Sequence, residues 1–151
     1  MRNKGVANDE EILTAAYHEV GHSLIAEALG LKIYMVMVAR DASGYCETDK
    51  CTSPVQDLRL TSAGYVAECI IRGAVPTYEA MCLDMSQEDD ADAIACTVMD
   101  GRVKGEIAVP KAMEFAKTYL EIPSVNRRLR RLAERLSRTR RLDGHIFNKE
   151  G

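Results

Sequence analysis

The run Ala16-Tyr17-His18-Glu19-Val20-Gly21-His22 lies inside a segment, Asp9–Leu29, whose apolar residues Ile12, Ala15, Ala16, Val20, Leu24 and Ala28 recur at three- and four-residue steps. That period predicts an amphipathic helix with one face turned to a core. Asp9 is the expected N-cap, Glu10 and Glu11 fall in the first turn where the helix dipole favours acids, and Gly30 supplies the stop. Once the segment is helical, His18 and His22 share a face, about 6 Å apart along the axis. Two imidazoles so spaced can hold one zinc ion, with Glu19 projecting beside them. Zinc held this way lowers the pKa of a bound water towards about 7, and a neighbouring carboxylate can then take the proton.

The rest of the chain reads as further short elements. Lys32–Ala39, rich in β-branched and long apolar residues, is expected to be a mostly buried strand, and Asp41–Pro54 a loop or irregular hairpin. Val55–Arg72 turns helical, with Leu58, Leu60, Ala63, Val66, Ala67 and Ile70 available for packing, and Gly73–Pro76 breaks it. Asp89–Met99 is a further expected helix, as are Pro110–Leu120, with Pro110 at its first position, and Ser124–Leu136. At 151 residues, 46% hydrophobic and 28% charged, with no linker, repeat or low-complexity segment, residues 1–151 are expected to form a single domain. The expected fold class is mostly α with a small β element (α+β).

Several classes drop out. The longest apolar run, near Ile33–Ala39, ends at Arg40 and is far short of the roughly 20 residues of a spanning helix. Met1-Arg2-Asn3-Lys4-Gly5 has no apolar stretch behind it, so no signal peptide is visible. The cysteines, Cys46, Cys51, Cys69, Cys82 and Cys96, are odd in number and form no Cys-x-x-Cys pair, which favours reduced thiols and a cytoplasmic location. Cys46 and Cys51 lie near Glu47 and Asp49, but no paired Cys or His completes a second metal site there.

Charge is unevenly spread. Residues 1–100 carry 7 Lys and Arg against 17 Asp and Glu, while residues 101–151 carry 13 against 6, which together give the net −3. Eight arginines fall between Arg127 and Arg141, enough to contact phosphates. Leu129, Leu132, Ala133 and Leu136 run through them at helical spacing, so a packing helix with a solvated basic face is the expected reading and nucleic acid is not an expected partner.

A catalytic zinc needs a third protein ligand. No His follows six residues after His22, since position 28 is Ala, and the one other histidine is His145. A Glu on a following helix and a carboxylate farther along both remain open. The acidic cluster Glu88-Asp89-Asp90-Ala91-Asp92 is the obvious source. Within it Asp90 shares a helical face with Ile94 and Val98 and should point inwards, whereas Asp89 and Asp92 point elsewhere.

These segments together resemble a known family. Ala15–Ala26, AAYHEVGHSLIA, resembles the A-x-H-E-A-G-H-A-x-V-A signature of the FtsH family of ATP-dependent zinc metalloproteases. Leu60–Cys69, LTSAGYVAEC, is similar to that family's L-x-G-R-A-A-E-E helix, and Ser86–Val98, SQEDDADAIACTV, to its S-G-A-x-N-D-L-x-x-A-T segment. Leu132–Ile146, LAERLSRTRRLDGHI, is similar to its C-terminal L-A-x-x-L-x-x-x-x-L-x-G-x-E-I helix and turn. The resemblance spans nearly the whole chain in the right order. It implies an FtsH-peptidase-like helical domain with His18 and His22 as zinc ligands, Glu19 as catalytic base and Asp90 as third ligand. Gln87-Glu88 replaces the family's Gly-rich lead into that aspartate, which keeps Asp89 as an alternative; Cys69 stands for the second Glu of A-E-E, and His145 for the final Glu.

The implied activity is that of a zinc-dependent endopeptidase acting on protein or peptide substrates, with the strand Ile33–Ala39 as the edge that docks an extended substrate. The chain has no G-x-x-x-x-G-K-[ST] loop and no transmembrane helix. A separate ATPase partner, or cleavage of already accessible segments, is therefore expected. The start at Met1 favours a stand-alone protein, and the resemblance implies a homo-oligomer. A zinc-holding binding module that partners an unfoldase or regulates another protein is the alternative.

Overall fold

The computed structural model describes residues 5–51, 53–84 and 105–148. Helix α1 (Asp9–Ala28) is followed by strands β1 (Ile33–Val38) and β2 (Gly44–Thr48), helices α2 (Pro54–Arg72), α3 (Tyr78–Asp84), α4 (Gly105–Leu120) and α5 (Pro123–Thr139), strand β3 (Arg141–Asp143) and the short helix α6 (His145–Asn148). The fold is mostly helical with one small antiparallel sheet in the order β2-β1-β3. The expected helix Asp89–Met99 and the cluster that holds Asp89, Asp90 and Asp92 lie outside the described residues.

α1 is the centre of the molecule, packed on α2, α4, α5 and the sheet. Its apolar side chains consequently meet neighbours on several sides: Ile12, Ala16, Tyr17, Val20, Leu24 and Ile25 are all buried. Ala28, the last residue of the expected stripe, is exposed at the helix end. The N-cap is Asn8 and not Asp9. Asn8 Oδ1 accepts the Glu11 N–H at 2.8 Å while Glu11 Oε1 accepts the Asn8 N–H at 3.3 Å, a reciprocal capping box that Asp9, followed three residues later by Ile12, could not close.

Of the two readings for Asp41–Pro54, loop or irregular hairpin, the hairpin is the one realised: β2 pairs with β1 from Val38↔Gly44 to Ile33↔Thr48 with one irregularity between Ile33 and Met35. Two other expectations are corrected. Pro110 does not begin its helix but lies inside α4. Its fixed φ suits a helix, and the lost backbone bond is offset by burial of Val109, Ala112, Met113, Ala116 and Leu120 along that face. Ile33–Ala39 is not an edge, because β1 is the central strand with β2 on one side and β3 on the other.

The second half closes around α1. Ser53 caps α2 by accepting the Gln56 N–H at 3.2 Å, Pro54 sits in its first turn, and Gly73 ends it in the left-handed region at φ +67°. In α5, Val125, Leu129, Leu132, Ala133 and Leu136 are buried, as their spacing implies. Arg128 from that helix grips Glu27 of α1 with two hydrogen bonds of 2.6 and 3.0 Å, both side chains only 17% exposed. Such a two-point ion pair fixes the angle between the helices as well as their distance. α6 then folds back onto β1: Phe147 is fully buried, Gly144 N–H donates to Tyr34 O at 2.9 Å, and Asn148 Nδ2 donates to Ile33 O at 3.2 Å.

Candidate metal centre

The geometry of the centre begins with small residues at the crossing of α1 and α2. A Cβ added at Gly21 would lie 2.6 Å from Ala67 Cβ and 2.9 Å from Ala63 O, and one added at Gly64 would run into the His18 ring. With no side chains in the way, the two helices approach closely enough for α2 to reach the histidines with hydrogen-bonding groups.

Both reach them at Nδ1. The Glu68 carboxylate lies 2.8 Å from His18 Nδ1, and the Leu60 carbonyl 2.7 Å from His22 Nδ1. A carbonyl oxygen only accepts, so His22 donates from Nδ1; the carboxylate imposes the same tautomer on His18. Neither Nε2 then carries a proton in the neutral rings, and the two Nε2 atoms converge to 3.0 Å with the rings edge-to-face. Two acceptor nitrogens aimed at one point suit a shared Lewis-acidic cation, and oriented imidazoles backed by a carboxylate and a carbonyl are the usual support of a zinc ligand pair. Desolvation of the His22 ring, reinforced by the adjacent His18, pushes its pKa down to about 3, so it stays neutral and able to ligate at pH 7.

Glu19 completes the group. His18, Glu19 and His22 offer ligand atoms that all lie within 4.8 Å of one another, a cluster able to hold a metal ion. Glu19 is 6% exposed, although the cleft that it lines with the histidines is wide, at about 870 Å³. The start of β2 explains that enclosure. A Cβ added at Gly44 would lie 2.5 Å from Glu19 Cγ, 2.7 Å from Cδ and 3.0 Å from Oε2, so the β2 backbone rests directly on this side chain. One turn on, Ser23 Oγ donates to the Glu19 carbonyl at 2.9 Å and meets Cys46 Sγ at 3.2 Å.

The donor set fits zinc: two imidazole nitrogens on one face, a carboxylate beside them and a cleft in front. Asp90 and Asp89, expected as the source of a third ligand, lie outside the described residues. His145 is exposed at the start of α6 and not in the cluster. Burial pushes the Cys46 thiol up to about 12 and that of Cys51 up to about 11, and neither joins a group of metal-capable side chains among the described residues. Cys46, Cys51 and Cys69 are free thiols.

Sequence reasoning missed the roles of Glu68, the Leu60 carbonyl and Gly44. For Glu68 a signal exists: Gly64 and Glu68 are four residues apart on one helical face, a gap followed by a carboxylate, which is what a ring docking on that face requires.

Among the described residues no helix is long and apolar enough to cross a membrane. No protein-family model and no curated protein matches the chain.

Proposed function

We propose that the chain is a zinc-dependent endopeptidase whose metal is held by His18, His22 and Asp90, with Asp89 as the alternative third ligand, and whose general base is Glu19. The observation that carries this reading is the convergence of His18 Nε2 and His22 Nε2 to 3.0 Å, with both Nδ1 atoms tied and the Glu19 carboxylate alongside. The resemblance to the FtsH peptidase points to the same residues and agrees with the helical periodicity in favouring Asp90.

When bound, zinc supplies a Lewis acid at this point and makes a water acidic near neutral pH. This chain's residues do the rest. His18 and His22 are held in one tautomer and one orientation by Glu68 and Leu60. Glu19, fixed between α1 and Gly44, takes a proton from the attacking water and returns it to the leaving amine. β2, an edge of the sheet among the described residues, contributes Gly44, Cys46 and Thr48 to the cleft wall, and its side away from β1 offers main-chain groups to an extended peptide. The substrate edge is thus assigned to β2 in place of Ile33–Ala39. The resemblance adds a homo-oligomer and a separate ATPase to the partners proposed.

Elemental analysis of wild type and of the Asp90→Ala and Asp89→Ala variants tests the ligand set. About one zinc per chain, lost in Asp90→Ala alone, is the expected result; loss that follows Asp89 shifts the ligand by one residue. Glu19→Gln is expected to keep zinc and to cleave no unfolded protein. Full cleavage by that variant overturns the reading, and zinc with no cleavage by wild type makes the domain a binding module.

A further inference from the structure

The outer arginines of α5 lie off its packing face. Of the eight between Arg127 and Arg141, Arg128 forms the clamp with Glu27, and Arg130 Nε donates to Asn126 Oδ1 at 2.9 Å. The apolar face of the helix is turned inward and buried. On the opposite face Arg127, Arg131, Arg135 and Arg138 are exposed, with Glu134 as the one acid among them. Arg127, Arg131 and Arg135 follow at four-residue steps, about 6 Å each, and the row to Arg138 is about 16 Å long.

This row works against its own helix. Like charges at four-residue spacing repel, the first turn has no acid, and Ile122 at the N-cap makes no side-chain cap bond. A row of exposed cations on the outer face of a packed helix suits an anionic partner. The partner must be anionic, and the row decides which kind. Protein interfaces are held by apolar or aromatic anchors at their centre, and this face has none, its Val and Leu residues being buried on the other side. A phosphate backbone needs no such anchor; it presents regularly spaced anions that arginine forks bind with release of counterions.

We propose that the outer face of α5 binds the phosphate backbone of duplex nucleic acid through Arg127, Arg131, Arg135 and Arg138. The net charge of −3 does not oppose this, since residues 101–151 carry 13 Lys and Arg against 6 Asp and Glu and set the local field. None of the four arginines lines the metal cleft, and the inference is independent of peptidase activity.

The test is fluorescence anisotropy with a labelled 20-base-pair duplex of scrambled sequence, from 50 to 200 mM salt. Binding is expected to weaken by about 100-fold over that range, a log–log slope of roughly −3.6 for four phosphates. The Arg127→Gln/Arg135→Gln/Arg138→Gln variant should flatten the slope by about 2.7, and Arg138→Gln alone by about 0.9. Lys111→Gln, on α4, and a chelator should change nothing. Unaltered thermal midpoints and zinc contents show that the variants are folded. Absence of binding at 50 mM salt, or a wild-type slope in the folded triple variant, overturns the proposal. So does equal affinity for poly-glutamate or for phosphatidylserine vesicles, which would make the partner an acidic protein or a membrane surface.

Discussion

The Glu68 carboxylate stands 2.8 Å from His18 Nδ1, across the crossing of two helices and fifty residues away in sequence. Its other oxygen lies 3.5 Å from Arg72, a long and exposed contact that leaves the carboxylate engaged chiefly with the imidazole. Glu68 therefore decides which nitrogen of His18 is available to a metal.

Glu68→Ala should accordingly weaken zinc binding by about 10- to 100-fold with little effect on folding. Glu68→Gln, which keeps a hydrogen-bond acceptor but loses the charge, should fall between the variant and wild type. Competition with a zinc chelator of known affinity measures both, and a wild-type affinity in Glu68→Ala would show that Leu60 and the helix alone orient the pair.

Gly44 is the second residue whose substitution separates metal from catalysis. A methyl group there meets Glu19 Cγ and Cδ inside van der Waals distance, so Glu19 must move, while His18 and His22 are anchored on α2. Gly44→Ala should retain zinc and lose on the order of 100-fold in kcat, in the range of a displaced general base. Zinc analysis and steady-state cleavage of an unfolded protein read the two effects separately.

How far the chain could be read follows from how local each feature is. α1, α2 and α5 repeat their apolar residues over many turns, and their inward faces were legible. His18, Glu19 and His22 were legible for the same reason, since one helix fixes their mutual geometry. β3 and α6 have three and four residues, too few for any period, and are held by distant contacts such as Gly144 with Tyr34 and the burial of Phe147. The position of β1 in the sheet could not be read from β1, because its second neighbour, β3, arrives about a hundred residues later. Glu68 was hidden likewise: its task exists only once Gly21 and Gly64 let the helices meet. The N-cap was legible and misread, for Asn8-x-x-Glu11 carries the capping-box pattern and Asp9-x-x-Ile12 does not.

Among the described residues, two non-glycine residues occupy the left-handed region: Arg140 at φ 66° and Ala42 at φ 67°. Arg140 ends α5, its N–H donating to Leu136 O, and its backbone conformation is the one glycine adopts at no steric cost. Arg140→Gly should stabilise the protein by about 0.5–1 kcal/mol, the relief of strain exceeding the added flexibility of the unfolded chain. Ala42→Gly should gain less, because the Ala42 methyl packs against the core. Urea unfolding of the two variants in parallel measures the difference.

Metal-free protein should be destabilised by mild acid through His22. Its pKa falls from 6.5 to about 3 on folding, because burial and the neighbouring His18 disfavour the imidazolium. The unfolded chain therefore binds the proton first. This contribution is fully present above about pH 6.5 and shrinks as pH falls towards 3, by at most about 1.4 kcal/mol per pH unit. His22→Gln removes the titrating group, so its unfolding free energy between pH 7 and 5 should fall less steeply than that of wild type, by up to one proton's worth. Denaturant unfolding of the chelator-treated proteins at several pH values gives both slopes, and parallel slopes would mean that the imidazole is solvated in the folded metal-free state.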